Sequence, residues 1–280
     1  MVAKNLTFHL YHAGIRWAAP GTTGRPMTLT APSYRVRFAK TPEDLRAAQR
    51  LRYSVFVTEL GGDGPLVDHN AACETDNYDD HASHLLLEDL ARPSDPVVGV
   101  YRLMSERQAL AAGGFSSQAE YDLSSLSDGT RQILELGRSC LHPRYRGGAG
   151  MLHLWSALAR HVQDSGIDLL FGVASFHGTD PEKFAAPLAY LRDFHLAPSQ
   201  IRPRAIGPGA VPMPTYAVTD RKAALREVPP LIKAYLRLGG VVGEGACVDK
   251  EFNTTDVCMI LDTAQMSAAQ TARYRDGAPK

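Results

Sequence analysis

The stretch Glu135-Leu-Gly-Arg-Ser-Cys-Leu-His-Pro-Arg-Tyr-Arg-Gly-Gly-Ala-Gly150 passes from a strand carrying charge into a glycine-rich helix entrance. Glycines let backbone N–H groups approach a ligand, the first turn of a helix leaves N–H groups unpaired, and the helix dipole favours an anion there. Arg144 and Arg146 add positive charge at the same place. Downstream, Leu152, Trp155, Leu158, Ala159 and Val162 recur at helical spacing, which predicts a helix with one buried face. The apolar run Ile167-Asp-Leu-Leu-Phe-Gly-Val-Ala-Ser175 then reads as a buried strand. The unit is strand, anion loop, helix, strand.

Working outward, Tyr34-Arg-Val-Arg-Phe38 alternates as a strand does, and Thr41-Pro-Glu-Asp44 supplies an N-cap with proline at the first helical position. The helix carries Leu45, Ala48, Leu51, Arg52 and Val55 toward Phe56, and Gly61, Gly62, Gly64 and Pro65 mark a loop leading into an acidic segment. His84-Leu-Leu-Leu-Glu88 and Val97-Val-Gly-Val-Tyr-Arg-Leu-Met104 are two further strands. The sum is an α/β (α+β) domain with a central mixed, twisted sheet flanked by helices. Residues 1–33, punctuated by Pro20, Gly21, Gly24, Pro26 and Pro32, read as an appendage. Its Leu6, Phe8, Leu10, Ile15 and Trp17 are candidates for loose packing or membrane contact. Residues 34–265 form one domain, and 266–280 a tail.

The chain has 280 residues, with 30 basic and 30 acidic side chains, so nothing in its charge indicates nucleic-acid binding. Any acidic partner must meet a local basic patch. No run approaches the roughly 20 apolar residues of a spanning helix. Cysteines 73, 140, 247 and 258 show no paired or metal-type spacing, which suits reduced thiols in a cytoplasm.

Arg144-x-x-Gly147-x-Ala149 resembles the pyrophosphate-loop signature of the GNAT acyltransferase superfamily, where it grips the pantetheine arm of an acyl thioester. The order Leu51-Arg-Tyr-Ser-Val-Phe56, Asp76-x-x-Asp79, Arg102, Glu135-x-x-Arg138 is similar to the autoinducer synthases. The remainder, including His177-Gly-Thr-Asp-Pro-Glu182, 229–240, 243–249 and Phe252-Asn-Thr-Thr-Asp256, is closer to the L-ornithine N-alpha-acyltransferases of ornithine lipid biosynthesis. That resemblance implies a GNAT-like fold and transfer of a (3R)-3-hydroxyacyl group from acyl carrier protein to the alpha-amine of L-ornithine, giving lyso-ornithine lipid. No cofactor would be bound permanently, since the donor's acyl-phosphopantetheine arrives on its carrier. The donor would be held by Arg144, Arg146, Gly147, Gly148, Ala149 and Gly150. An amphiphilic product further implies a transient membrane surface as partner, with a cytoplasmic protein peripheral at the inner membrane.

Acyl transfer to an amine needs a neutral amine, a positioned carbonyl and stabilisation of the oxyanion. Glu135 is the candidate general base, directly or through water, with burial expected to raise its pKa; the alternative is a simple ion pair with Arg138. Residues 135 and 138 point to opposite faces of a regular strand. Gly137 between them suits a bulge within 135–139, which would re-aim a side chain and free a backbone N–H. Asp76 and Asp79 would share one side of a helical turn and hold a cationic amino acid; the family resemblance instead implies charge networks with Arg52 and Arg102 around the acyl pocket. Arg192, Arg202, Arg204 and Arg237 are candidates for the acceptor's carboxylate or for carrier protein. His84-x4-Asp89 lies across a strand and is read as coincidence, no metal is expected at His81/His84 or His9/His12, and Cys140 lacks an identified base. An autoinducer synthase and a non-catalytic acyl-phosphopantetheine-binding module are the competing readings.

Overall fold

The computed structural model describes residues 33–127 and 129–265, so all but Ser33 of the appendage, and the whole tail, lie outside the described residues. Strand β1 (Tyr34–Phe38) is followed by helix α1 (Pro42–Arg52), where Thr41 Oγ1 accepts the Asp44 N–H at 3.2 Å while Asp44 Oδ2 accepts the Thr41 N–H at 3.4 Å. This reciprocal cap, with Pro42 at the first helical position, fixes where the helix starts. The helix does not stop at Arg52 but widens into a π-helical turn over Tyr53–Glu59. Strands β2 (Ser83–Asp89) and β3 (Val97–Ser105) lead to α2 (Glu106–Ala112), a 3₁₀ turn at Ser116–Ala119 and the short β4 (Tyr121–Asp122). Then come β5 (Ile133–Leu141), α3 (Gly150–Asp164) and β6 (Leu169–His177), the unit expected from sequence. The second half adds α4 (Ala185–His195), β7 (Arg204–Ala205), β8 (Ala210–Val211), α5 (Arg221–Glu227), α6 (Pro230–Arg237), β9 (Val241–Val242), β10 (Ala246–Asp249) and β11 (Thr254–Asp262).

The main sheet runs β1-β2-β3-β5-β6-β11-β10-β8, with β9 also on β11, while β4 and β7 pair separately. Its pairings are antiparallel except β5 with β6. Alternation along β2 sorts the core: Leu85 and Leu87 cluster with Leu154, Trp155 and Leu158 of α3, and Leu86 clusters with Ala48 and Leu51 of α1. The two helices therefore cover opposite faces of the same strands.

β5 and β6 are paired for only three steps, Ile133 with Leu169, Leu134 with Leu170 and Glu135 with Phe171. At the parting, a Cβ on Gly172 would sit 2.0 Å from the Leu136 carbonyl oxygen, so the backbones touch where only glycine fits. Beyond it β5 bulges: Val100 faces Cys140 and Arg102 faces Gly137, leaving Arg138 and Ser139 opposite Tyr101 alone. The expected bulge lies within 135–139, but the left-handed residue is Arg138, at φ +49°, rather than Gly137.

Gly172→Ala should cost about 3 kcal/mol, because a buried backbone contact must be pushed apart. Gly166→Ala, with left-handed φ but open space around it, should cost only about 1 kcal/mol. Denaturant midpoints of the two variants check the contrast.

Candidate active site

The first group of functional side chains is a closed charge network beneath the bulge. Arg52, on the last turn of α1 and fully buried, pairs through Nε with Glu74 and through Nη1 and Nη2 with Asp79 at 2.6 and 2.9 Å. Arg102 on β3 pairs with Asp76 and lies 3.5 Å from Asp79. Arg138 reaches Glu74 and Asp76, each at 3.1 Å, and its guanidinium stacks 4.8 Å from the Phe252 ring centre. Burial alone would raise the Asp79 carboxyl, yet Arg52's charge and hydrogen bonds hold it down at about 2. Asp76 is held low by Arg102 and Arg138 against the same burial.

Three guanidinium groups meet three carboxylates, so Asp76 and Asp79 are already charge-paired within the network. They lie on a non-helical turn, correcting the expected helical arrangement, and the network with Arg52 and Arg102 implied by the resemblance is the one observed. Glu74, which lies in the same acidic segment, is fully buried at the network's centre.

Glu135 does not pair with Arg138, so that alternative is corrected. Its carboxylate is buried and accepts the Ser116 N–H at 3.1 Å, the Ser117 N–H at 2.7 Å and the Ser117 hydroxyl at 2.5 Å. A cavity of about 260 Å³ opens where β5 and β6 part, lined by Ser117, Gly137, Arg138, Ser139 and Gly172–Ser175. Arg102 also lines it, with a buried Nη2 that has no hydrogen-bond partner. None of Arg192, Arg202, Arg204 or Arg237 does. Arg192 is turned to Asp193, Arg202 Nε donates to the Ala197 carbonyl, and Arg204 lies 3.6 Å from Glu244.

The same cavity contains three acids that sequence spacing did not single out, Glu120, Asp249 and Asp256, whose carboxylate oxygens lie within 4.8 Å of one another. They offer the ligand atoms a cation needs. Burial, with the charges of Asp256 and Asp249, pushes Glu120 up to about 8. Burial also raises Asp256, against the nearby Ser175 and Thr254 hydroxyls and aided by Asp249, to about 6.

At the mouth of α3, Gly147 takes a left-handed φ of +74° and no side chain caps the helix. Arg144 is exposed, while Arg146 makes a bidentate pair with Glu59 at 2.5 and 2.7 Å. Of the residues predicted to hold the donor, Arg146 is thus already engaged. His84 Nε2 meets the Asp79 carbonyl oxygen and Asp89 accepts the Tyr145 hydroxyl, so the His84-x4-Asp89 pair serves two separate local contacts. All four cysteines are buried and free, and burial pushes the Cys140 thiol up to about 12. Among the described residues no helix is long and apolar enough to cross a membrane.

A mixed sheet whose central parallel strands part beside a bulge, with an uncapped helix N-terminus after the Gly147–Gly148 loop, defines a GNAT-type acyltransferase, and residues 51–156 match the acetyltransferase (GNAT) domain family. The chain belongs to the L-ornithine N(alpha)-acyltransferase family. It is 52% identical over 245 residues to the L-ornithine N(alpha)-acyltransferase of Rhodobacter capsulatus, covering 86% of this chain and 95% of that protein. The Brucella abortus protein of the same name is 38% identical over 250 residues, covering 86% of this chain and 89% of its own length. Among solved structures, the AHL synthase LasI is similar with a TM-score of 0.49 and 16% identity, over 89% of this chain and 98% of that one.

Arg52→Met removes the nearest charge partner of two buried carboxylates, Glu74 and Asp79, and should destabilise the fold by about 3–5 kcal/mol in urea unfolding. Cys140→Ala should keep turnover within about twofold, since so weakly acidic a thiol offers no nucleophile at neutral pH. Glu120 and Asp256 bind protons more tightly folded than unfolded, so the stability they contribute is present below about pH 4 and lost as pH rises toward 8. Thermal melts between pH 5 and 8 without substrate should show this fall, and Glu120→Gln with Asp256→Asn should flatten it.

Proposed function

We propose that this acyltransferase moves a (3R)-3-hydroxyacyl group from the thioester of acyl carrier protein to the alpha-amine of L-ornithine, giving lyso-ornithine lipid. The observation that carries the reading is the cavity between parted β5 and β6, open to a bulged backbone on one side and lined by Ser117 and charged groups on the other. The names of the relatives at 52% and 38% identity support ornithine as acceptor.

In this reading the donor's phosphate meets the backbone of Gly147, Gly148, Ala149 and Gly150 at the positive end of α3. Arg144 adds charge from solvent, and Arg146 exchanges its Glu59 partner for the phosphate. The acyl chain follows a second, apolar cavity of about 290 Å³ lined by Trp155, Leu158, Val162 and Leu238, which shares Leu170, Tyr235 and Leu261 with the first.

The amine attacks the thioester carbonyl, and a backbone N–H at 138–139, released from the ladder by the bulge, steadies the oxyanion. Glu135 acts as general base through Ser117: the hydroxyl takes the amine's proton as it passes its own to the carboxylate. The new C–N bond forms, the C–S bond breaks, and the carrier's thiol leaves with a proton. Arg138 holds the bulged backbone through Glu74 and Asp76. An amphiphilic product suits a transient encounter with the inner membrane from the cytoplasmic side.

The test is purified protein with carrier protein charged with 3-hydroxyacyl chains, offered ornithine, lysine, glycine and S-adenosylmethionine separately. Amide from ornithine alone is expected; lactone from S-adenosylmethionine, or equal use of the acyl-CoA thioester, would contradict the reading. Glu135→Gln should lower kcat by about 100-fold or more with little change in donor KM. Arg144→Ala with Arg146→Ala should mainly raise donor KM.

A further inference from the structure

Charge matching separates two acidic groups in this molecule. Glu74, Asp76 and Asp79 are each paired with Arg52, Arg102 or Arg138. Among the described residues, no lysine or arginine makes an ion pair with Glu120, Asp249 or Asp256. Asp256 is only 3% exposed, yet its Oδ1 has no hydrogen-bond partner, and Glu120 Oε2 is likewise without one. Unpaired buried carboxylate oxygens are costly, so a group that persists unpaired inside a cavity calls for a partner that the described residues do not supply.

We propose that Glu120, Asp249 and Asp256 form the pocket for the side-chain ammonium of the acceptor, making this enzyme select amino acids with a second, unreacting cation. The inference depends on the acceptor being an ornithine-like amino acid. An ammonium carries three donors, and three carboxylates converge within 4.8 Å to accept them. Their positions are fixed by the fold. Asp256 lies on β11 in register with Ser175 of β6, just past the parting, and its Oδ2 accepts the Thr254 hydroxyl at 3.1 Å. Asp249, at the end of β10, is held by the N–H groups of Glu251 and Phe252 at 2.8 and 3.0 Å. Glu120 follows the 3₁₀ turn whose Ser117 hydroxyl touches Glu135. The cluster and the bulge line the same cavity, so one amine can stand at the thioester while the other is neutralised away from it.

Such a pocket also discriminates. An acceptor without the second ammonium leaves buried polar groups unpaired, which sites of this kind reject far more strongly than they reject a missing methylene.

The test compares ornithine with norvaline, which has hydrogen in place of the side-chain amine, using the full-length protein and its thioester donor. Wild type should prefer ornithine by at least about 100-fold in kcat/KM. Asp256→Asn and Glu120→Gln should each raise ornithine KM at least about 30-fold while leaving norvaline unchanged or improved, so the preference collapses. An equal loss with both acceptors would mean a structural or general-base role and overturn the proposal. Calorimetric titration with ornithine, norvaline, Mg²⁺ and Ca²⁺ keeps the pocket testable apart from the reaction. If no amine is acylated, the proposed reaction fails, while ornithine binding that is lost in Asp256→Asn still supports the pocket. Ornithine and norvaline bound alike, or a divalent cation bound in ornithine's place, would overturn it.

Discussion

The site depends on β5 and β6 being neighbours for three residue pairs and no more. A parallel pair in the middle of a sheet normally stays closed, because opening it strands backbone hydrogen bonds. Here the cost is contained on both sides of the gap. On β6, Gly172 lets its backbone press against the Leu136 carbonyl, while β11 keeps pairing β6 from Asp262 to Thr254. On β5, the bulge at Arg138 and Ser139 turns the strand while β3 continues to hold it at Cys140 and Leu141. The gap is thus bounded by strands that remain anchored on their outer edges.

The left-handed conformation of Arg138 is tolerable because its side chain is doubly tied, to Glu74 and to Asp76, and stacked on Phe252. Those acids are in turn held by Arg52 and Arg102. A fully buried ion network contributes little net stability compared with an apolar core, but removing one member is severe. Its value lies in geometry, since it locks the acidic loop, the end of α1 and the bulged strand to one another. The second acidic cluster has the opposite character: among the described residues no lysine or arginine pairs with it, which leaves it open to a cation bound in the cavity.

Much of this was legible in the sequence because it is local. The strand, loop and helix of 135–164, the Thr41 cap and the bulge window all follow from spacing over a few residues. The identity of the bulged residue did not, because Gly137 looked the better candidate until register placed it opposite Arg102. Glu74 sits in an acidic loop segment whose spacing points to no partner; only the fold brings Arg52 and Arg138 to it. Glu120, Asp249 and Asp256 escaped because Glu120, after a turn in the middle of the chain, meets Asp249 and Asp256 of the late β10–β11 pair, and sequence spacing cannot report such convergence. The four arginines favoured for the acceptor were chosen by type alone, and the fold turns at least three of them to other partners.

The most direct measurement is a crystal structure with a stable donor analogue, an acyl-phosphopantetheine in which an amide replaces the thioester. The account predicts its carbonyl between β5 and β6 beside residues 138–139, its phosphate at the backbone of 147–150 and its acyl chain against Trp155 and Leu158. A donor bound elsewhere, with the gap between β5 and β6 unfilled, would contradict it.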